Sequence, residues 1–182
     1  MCGRFHFGIL PDNELGKKIK QHAKKLNLVY AQGEIFPSDN VLCIIPFESK
    51  INLDIKKWGI QSKSLLINAR METLDQRITF SSIKNNRCAV ICNGFYEWDL
   101  DKKKYYITFD KPYMYLGCIF NEKNELVILT QSTDDEQFKK IHDRQPFIMD
   151  KDEMLSFIHN EKCVFKKKQL YISQVNEQIS IL

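Results

Sequence analysis

The chain has 182 residues, 43% hydrophobic and 27% charged, an ordinary globular balance that fits one domain over residues 1–182 with a real core. No run of about 18 apolar residues occurs, so no transmembrane helix is expected, and the first residues lack a basic-then-apolar leader, which points to a cytoplasmic protein with no membrane partner. The net charge of +4 permits an anionic partner without demanding one. Six cysteines occur, at positions 2, 43, 88, 92, 118 and 163. In a cytoplasmic chain they are expected to stay reduced, and Cys43, Cys88, Cys92 and Cys118 sit in apolar runs where cysteine acts as a small hydrophobe. Without Cys-x-x-Cys or His-x-x-x-His spacing, no metal site and no cofactor are expected.

In chain order, Gly3 to Ile9 reads as a first strand ended by Gly8 and Pro11. Leu15, Ile19, Ala23 and Leu26 then recur at helical spacing, with lysines on the other face and Asp12 or Asn13 as cap. Pro37 breaks the next extended segment. Val41 to Ile45 predicts a short buried strand ended by Pro46, and Ile55 to Ile60 a looser one carrying Trp58 and Gly59. Leu65 to Ile67 leads through Asn68, Ala69 and Arg70 into a polar turn or helix, and Ser81 to Asn86 is irregular. Cys88 to Cys92 is a buried strand by composition, and Asn93-Gly94 signals a tight turn before Phe95 to Trp98.

Tyr105 to Phe109 and Tyr113 to Phe120 are aromatic-rich strands, and Glu125 to Thr130 returns after a turn at residues 121–124. Thr133 to Glu136 has a capping-box pattern and predicts a helix to about Ile141, which delivers His142-Asp143-Arg144-Gln145-Pro146 to a loop. Phe147 to Met149 is a short strand, Asp150 to Ile158 a capped helix with Glu153 at the third position, and Leu170 to Val175 a last strand. Many short strands among a few flanking helices predict an α+β domain whose sheet is mainly antiparallel, bent and barrel-like.

Four places hold chemistry-bearing residues: Cys2; Asn68 with Arg70 and Glu72; Glu97 among aromatics; and His142 with Asp143 and Arg144. Taken singly, Cys2 reads as an early apolar residue, Glu97 as the exposed position of a half-buried strand, His142 as a helix C-terminal residue and Asn68 as a turn former. Taken together they suggest a carbonyl condensation. If Met1 is removed, Cys2 offers an amine and a thiol on one residue, titrating near about 8 and about 8.5. A buried Glu and a His exchange protons near neutrality. Arg4, Arg70 and Arg144 offer forked donors suited to phosphate.

Cys2-Gly3-Arg4-Phe5, Trp58-Gly59, Asn68 to Thr73, Arg87-Cys88 through Gly94-Phe95-Tyr96-Glu97-Trp98, and Ile141 to Pro146 follow one another in an order and spacing that resemble the SRAP (SOS response-associated peptidase) family of abasic-site processing proteins. The resemblance spans nearly the whole chain and implies a compact, mainly β, barrel-like fold. It further implies a sensor of abasic sites in single-stranded DNA, acting also at single-strand/double-strand junctions. After loss of Met1, Cys2 would crosslink to the opened sugar as a thiazolidine. Asn68 would hold the Cys2 amine and the sugar, Glu97 would act as acid and base, and His142 would help open the ring. Arg4, Arg70 and Arg144 would grip phosphates, Trp58 and Pro37 would pack on bases, and Trp98 and Thr130 complete the DNA-contact set. The protein would work as a monomer, nucleoid-associated when bound. Residues 60–67 are short for the family, whose loop there carries tryptophan. Two other readings are an N-terminal cysteine hydrolase, of amidotransferase or peptidase type, and a non-enzymatic nucleic-acid-binding barrel.

Overall fold

Strand propensity, not helix propensity, organises this chain, and the computed structural model describes residues 2–8, 14–48 and 50–175. β1 (Arg4–Phe7) precedes α1 (Glu14–Lys25) and β2 (Gly33–Ile35). β3 (Asn40–Phe47) and β4 (Lys50–Trp58) make a long hairpin, followed by the short pair β5 (Ile60–Gln61) and β6 (Leu65–Leu66). β7 (Asn68–Arg70) enters a 3-10 turn at Met71–Thr73 and the one-turn α2 (Ile78–Ser81). Then come β8 (Arg87–Cys92), β9 (Gly94–Trp98), β10 (Lys104–Phe109), β11 (Met114–Phe120) and β12 (Glu125–Ser132). A 3-10 turn at Phe138–Lys140, β13 (Arg144–Pro146), β14 (Ile148–Met149), α3 (Lys151–Ile158) and β15 (Leu170–Gln174) complete the described part.

The larger sheet closes on itself. β12 pairs with β4, β4 with β3, β3 with β8, β8 with β11, and β11 returns to β12. The smaller sheet has the order β15–β10–β9–β1–β2. Most pairings are antiparallel; β12 runs parallel to β4 and to β7. The α+β, barrel-like expectation is therefore met. Closure removes exposed strand edges and encloses side chains such as Cys43, Cys88, Leu116, Cys118 and Ile128, all fully buried. Among the described residues no helix is long and apolar enough to cross a membrane.

Several local expectations change. In α1, Ile19 and Ala23 are buried as the pattern requires, but Leu26 lies past the helix end and is exposed; Asp12, Asn13 and the Leu15 side chain lie outside the described residues. Pro46 does not end β3; it stands opposite Ile51, one pair before the turn that joins β3 to β4. Asn93-Gly94 makes no hairpin. Asn93 is the single residue at which the chain leaves the barrel strand β8 for β9 in the other sheet, with its N–H donated to the His6 carbonyl at 2.8 Å. Thr133 opens no long helix, since its hydroxyl bonds Gln145 Oε1 at 2.6 Å and only the turn at Phe138–Lys140 is helical. The stretch expected as a loop around His142 contains β13, paired with β12. By contrast the Asp150–Glu153 capping box of α3 is present with both reciprocal bonds.

Candidate active site

Alternation along β9 sends Phe95 and Glu97 inward and Tyr96 and Trp98 toward the outer face. Phe95 is fully buried and Glu97 only 3% exposed, so the surface reading of Glu97 does not hold. Gly94 has to lack a side chain here: a Cβ would stand 2.5 Å from the Ile107 carbonyl and 2.7 Å from the Tyr106 ring. That close approach brings β10 onto β9, and β1 pairs on the other side with Arg4 opposite Tyr96. Cys2 therefore enters just ahead of β1, close to Glu97, whose charge acts on the Cys2 thiol. Cys2 is fully buried, with Sγ 3.6 Å from the Arg4 carbonyl.

Asn68 ties Cys2 to the barrel. β7 lies parallel to β12, Asn68 opposite Ile128, and the Asn68 amide donates from Nδ2 to the Cys2 carbonyl at 2.9 Å. Its Oδ1 is buried and has no hydrogen-bond partner among the described residues. A buried amide oxygen without a donor is costly, and it marks a position that an N–H or O–H would fill.

The other side of β12 carries β13 and Arg144. The Arg144 guanidinium, 8% exposed for the whole residue, donates from Nη2 to Glu72 Oε2 at 2.8 Å and to the Thr130 carbonyl at 2.9 Å. It also reaches Thr130 Oγ1 and Ser132 Oγ at 3.4 Å. Thr130, fully buried, donates its hydroxyl to the Ala69 carbonyl at 3.4 Å, between Asn68 and Arg70. Arg144 thus joins the turn after β7 to the segment that presents His142. The Arg144 backbone N–H donates to His142 Nδ1 at 2.9 Å, while Asp143 Oδ1 stands 2.8 Å from the same nitrogen. A ring protonated on Nε2 alone accepts the first bond; a ring carrying a proton on Nδ1 makes the second. Two protonation states therefore have partners in place.

Burial sets the electrostatics. It pushes the Cys2 thiol well above its ordinary value, with the Glu97 charge adding to the rise. It likewise raises the Glu97 carboxyl. The His142 ring is held below the usual histidine value, first by burial. At Glu72 burial works upward, but the Arg144 bond prevails and holds the carboxyl below its ordinary value. Burial thus works against the charged form of the thiol, the carboxyl and the imidazole alike, which suits groups that pass protons to one another.

Of the expected DNA-contact residues, Arg70 is exposed and makes no salt bridge among the described residues. Arg4 and Trp98 share the outer face of the small sheet, Arg4 bonded to Glu34 at 2.9 Å with its guanidinium carbon 5.5 Å from the Trp98 ring centre. Pro37 is half-buried in the turn after β2. Trp58 corrects the base-packing expectation. It is fully buried, tilted against Phe5 at 5.2 Å, and donates Nε1–H to the Ile67 carbonyl at 3.0 Å, so it presents no face to a base. The short 60–67 segment is filled by the β5–β6 hairpin. Sequence reasoning missed Glu34 and Lys104, joined by bonds of 2.8 and 3.0 Å, and the buried Lys56 held by Asp54 and Asn124. Only the strand register, which brings positions 34 and 104 to one face, could have signalled the first pair.

A barrel joined to an open sheet is also the fold of solved proteins of low sequence similarity. One from Bacteroides thetaiotaomicron superposes with a TM-score of 0.74 at 15% identity, covering 97% of this chain and 93% of that one. Another from Bordetella bronchiseptica gives 0.69 at 14% identity, covering 96% and 100%. These likenesses establish the fold. No curated protein sequence matches the chain. Residues 1–181 match the family described as SOS response associated peptidase (SRAP), and the chain belongs to that family, which connects it with the response to DNA damage.

Proposed function

We propose that this protein is a sensor of abasic sites in single-stranded DNA, which it captures covalently through Cys2 once Met1 has been removed. The observation that carries the reading is the Glu97 carboxyl, buried on an apolar strand face beside a buried Cys2 that Asn68 holds by its carbonyl. A packed core gains nothing from a carboxyl there; a reaction that moves protons does.

The Cys2 amine attacks the aldehyde carbon of the ring-opened sugar, forming a carbinolamine. Loss of water gives an imine. The thiol then adds across the C=N bond: sulfur bonds to carbon and nitrogen takes the proton. One water leaves overall, and the product is a five-membered thiazolidine. Glu97, raised by burial, delivers the proton that lets water depart and accepts the one from sulfur. The Asn68 Oδ1 receives the amine N–H or a sugar hydroxyl. His142, with partners for either protonation state, assists opening of the sugar. Arg70 and Arg4 meet backbone phosphates, while Arg144 acts mainly through the Glu72–Thr130 network.

Hydrolysis by Cys2 would require a thiolate, and burial drives the thiol away from that state. The test uses mature protein and a single-stranded oligonucleotide with one abasic site. A denaturation-resistant adduct is expected, lost in Cys2→Ala and in protein carrying residues ahead of Cys2. Equal crosslinking by the N-terminally extended protein would overturn the mechanism, because its Cys2 nitrogen is an amide.

A further inference from the structure

We propose that Lys104 is the second cation of the phosphate subsite to which the reading above already assigns Arg4, that the Glu34 carboxylate occupies this subsite until a phosphate displaces it, and that Phe36 receives the adjoining base. This deepens the reading above and rests on it for the identity of the ligand.

The geometry is that of an anion held by two cations. Glu34 Oε1 lies 2.9 Å from Arg4 Nη1 and 2.8 Å from Lys104 Nζ, and Oε2 lies 3.0 Å from the same Nζ. A carboxylate and a phosphodiester each present two oxygens and one negative charge, so a cradle that fits one fits the other. Burial works to raise the Glu34 carboxyl, but the three bonds from Lys104 and Arg4 prevail and hold it below its ordinary value, so it stays charged at neutral pH.

Neither cation depends on Glu34 for its position. The Arg4 guanidinium stacks on Phe36 at 3.9 Å and sits 5.5 Å from Trp98. Lys104 Nζ lies 4.3 Å over Tyr96 and 5.6 Å from Trp98. Cation–π contacts keep both groups in place when the carboxylate leaves. Glu34 itself sits on β2, the edge strand of the small sheet, with 27% of its side chain exposed. Phe36, 42% exposed, follows it at the β2 end. The cluster adjoins the candidate site through the chain, since Arg4 is two residues from Cys2 and Trp98 follows Glu97. Two cations against one carboxylate leave a net positive charge facing solvent, and exposed aromatic faces take bases without sequence preference.

The alternative is a structural ion-pair cluster in which Glu34 merely orients Arg4. The two differ in sign. Binding is measured by fluorescence anisotropy with a labelled oligothymidylate lacking any abasic site, on Cys2→Ala protein so that no covalent capture occurs. Glu34→Gln is expected to tighten binding about 3- to 10-fold by removing the competing anion. Lys104→Met is expected to weaken it by a similar factor and to reduce the salt slope by about 0.7. Unchanged or weaker binding by Glu34→Gln overturns the subsite, as does absence of oligothymidylate binding by both proteins. Tighter binding by Glu34→Gln in a protein whose Cys2 forms no abasic-site adduct keeps the subsite and removes the crosslinking reading. Adduct formation with no tightening does the reverse.

Discussion

Replacing Trp58 by phenylalanine separates a core role from a DNA-contact role. Trp58 is fully buried, packs on Phe5 at 5.2 Å and donates its indole N–H to the Ile67 carbonyl at 3.0 Å. Phenylalanine loses that bond, at about 1 kcal/mol. The carbonyl is not orphaned, because it also accepts from the Ile128 N–H at 3.1 Å. The smaller ring leaves a void of about three heavy atoms, adding roughly 1–2 kcal/mol. The total of about 2–3 kcal/mol lowers the melting temperature by about 4–12 °C in a protein of this size. Trp58→Ala would cost about 3–5 kcal/mol, a large share of a total near 5–15 kcal/mol. Circular dichroism melting gives the stability and oligothymidylate anisotropy at 15 °C gives the binding of the folded protein. An unchanged melting temperature with binding weakened about 5- to 150-fold, the loss of one stacked base, would refute the buried assignment.

Glu97→Gln should slow adduct formation by about 10²- to 10⁴-fold while leaving oligothymidylate affinity within twofold, measured by single-turnover gel assay. The same variant should stabilise the fold at neutral pH. A carboxyl raised in the folded state binds its proton more tightly there than in the unfolded chain, so native stability falls as pH rises through that window, and Gln removes the loss. His142 has the opposite linkage among bases. Held below its ordinary value by burial, it takes up a proton less readily when folded, so stability falls as pH drops through the usual histidine range. His142→Asn should flatten that part of a denaturation-midpoint profile and slow the crosslink. Asp150→Ala removes a side chain that accepts from the N–H groups of Asp152 and Glu153. Its expected cost is about 1–2 kcal/mol in urea unfolding, with no change in crosslinking.

What could be read from the sequence divides along local and non-local physics. The α3 capping box is complete within four residues, and it forms as expected. Thr133 carries a similar local pattern, yet its hydroxyl finds Gln145, twelve positions away, and the helix does not form. Period-two alternation already places Phe95 and Glu97 on one face; which face is buried depends on β1 and β10, which come from elsewhere in the chain. Arg144 and Gln145 look like loop residues by composition. They are buried in a strand because Glu72, Thr130 and Thr133 satisfy them, and no window around position 144 contains those partners. The same limit hid Trp58, whose place against Phe5 follows from the packing of the small sheet on the barrel.

Tandem mass spectrometry of the conjugate between Met1-trimmed protein and an abasic oligonucleotide tests the central claim most directly. The account predicts one sugar remnant, attached to the N-terminal peptide at Cys2 through both nitrogen and sulfur, with the mass of the two reactants less one water. A remnant on a lysine or on another cysteine, or an N-terminal peptide recovered unmodified, would contradict it.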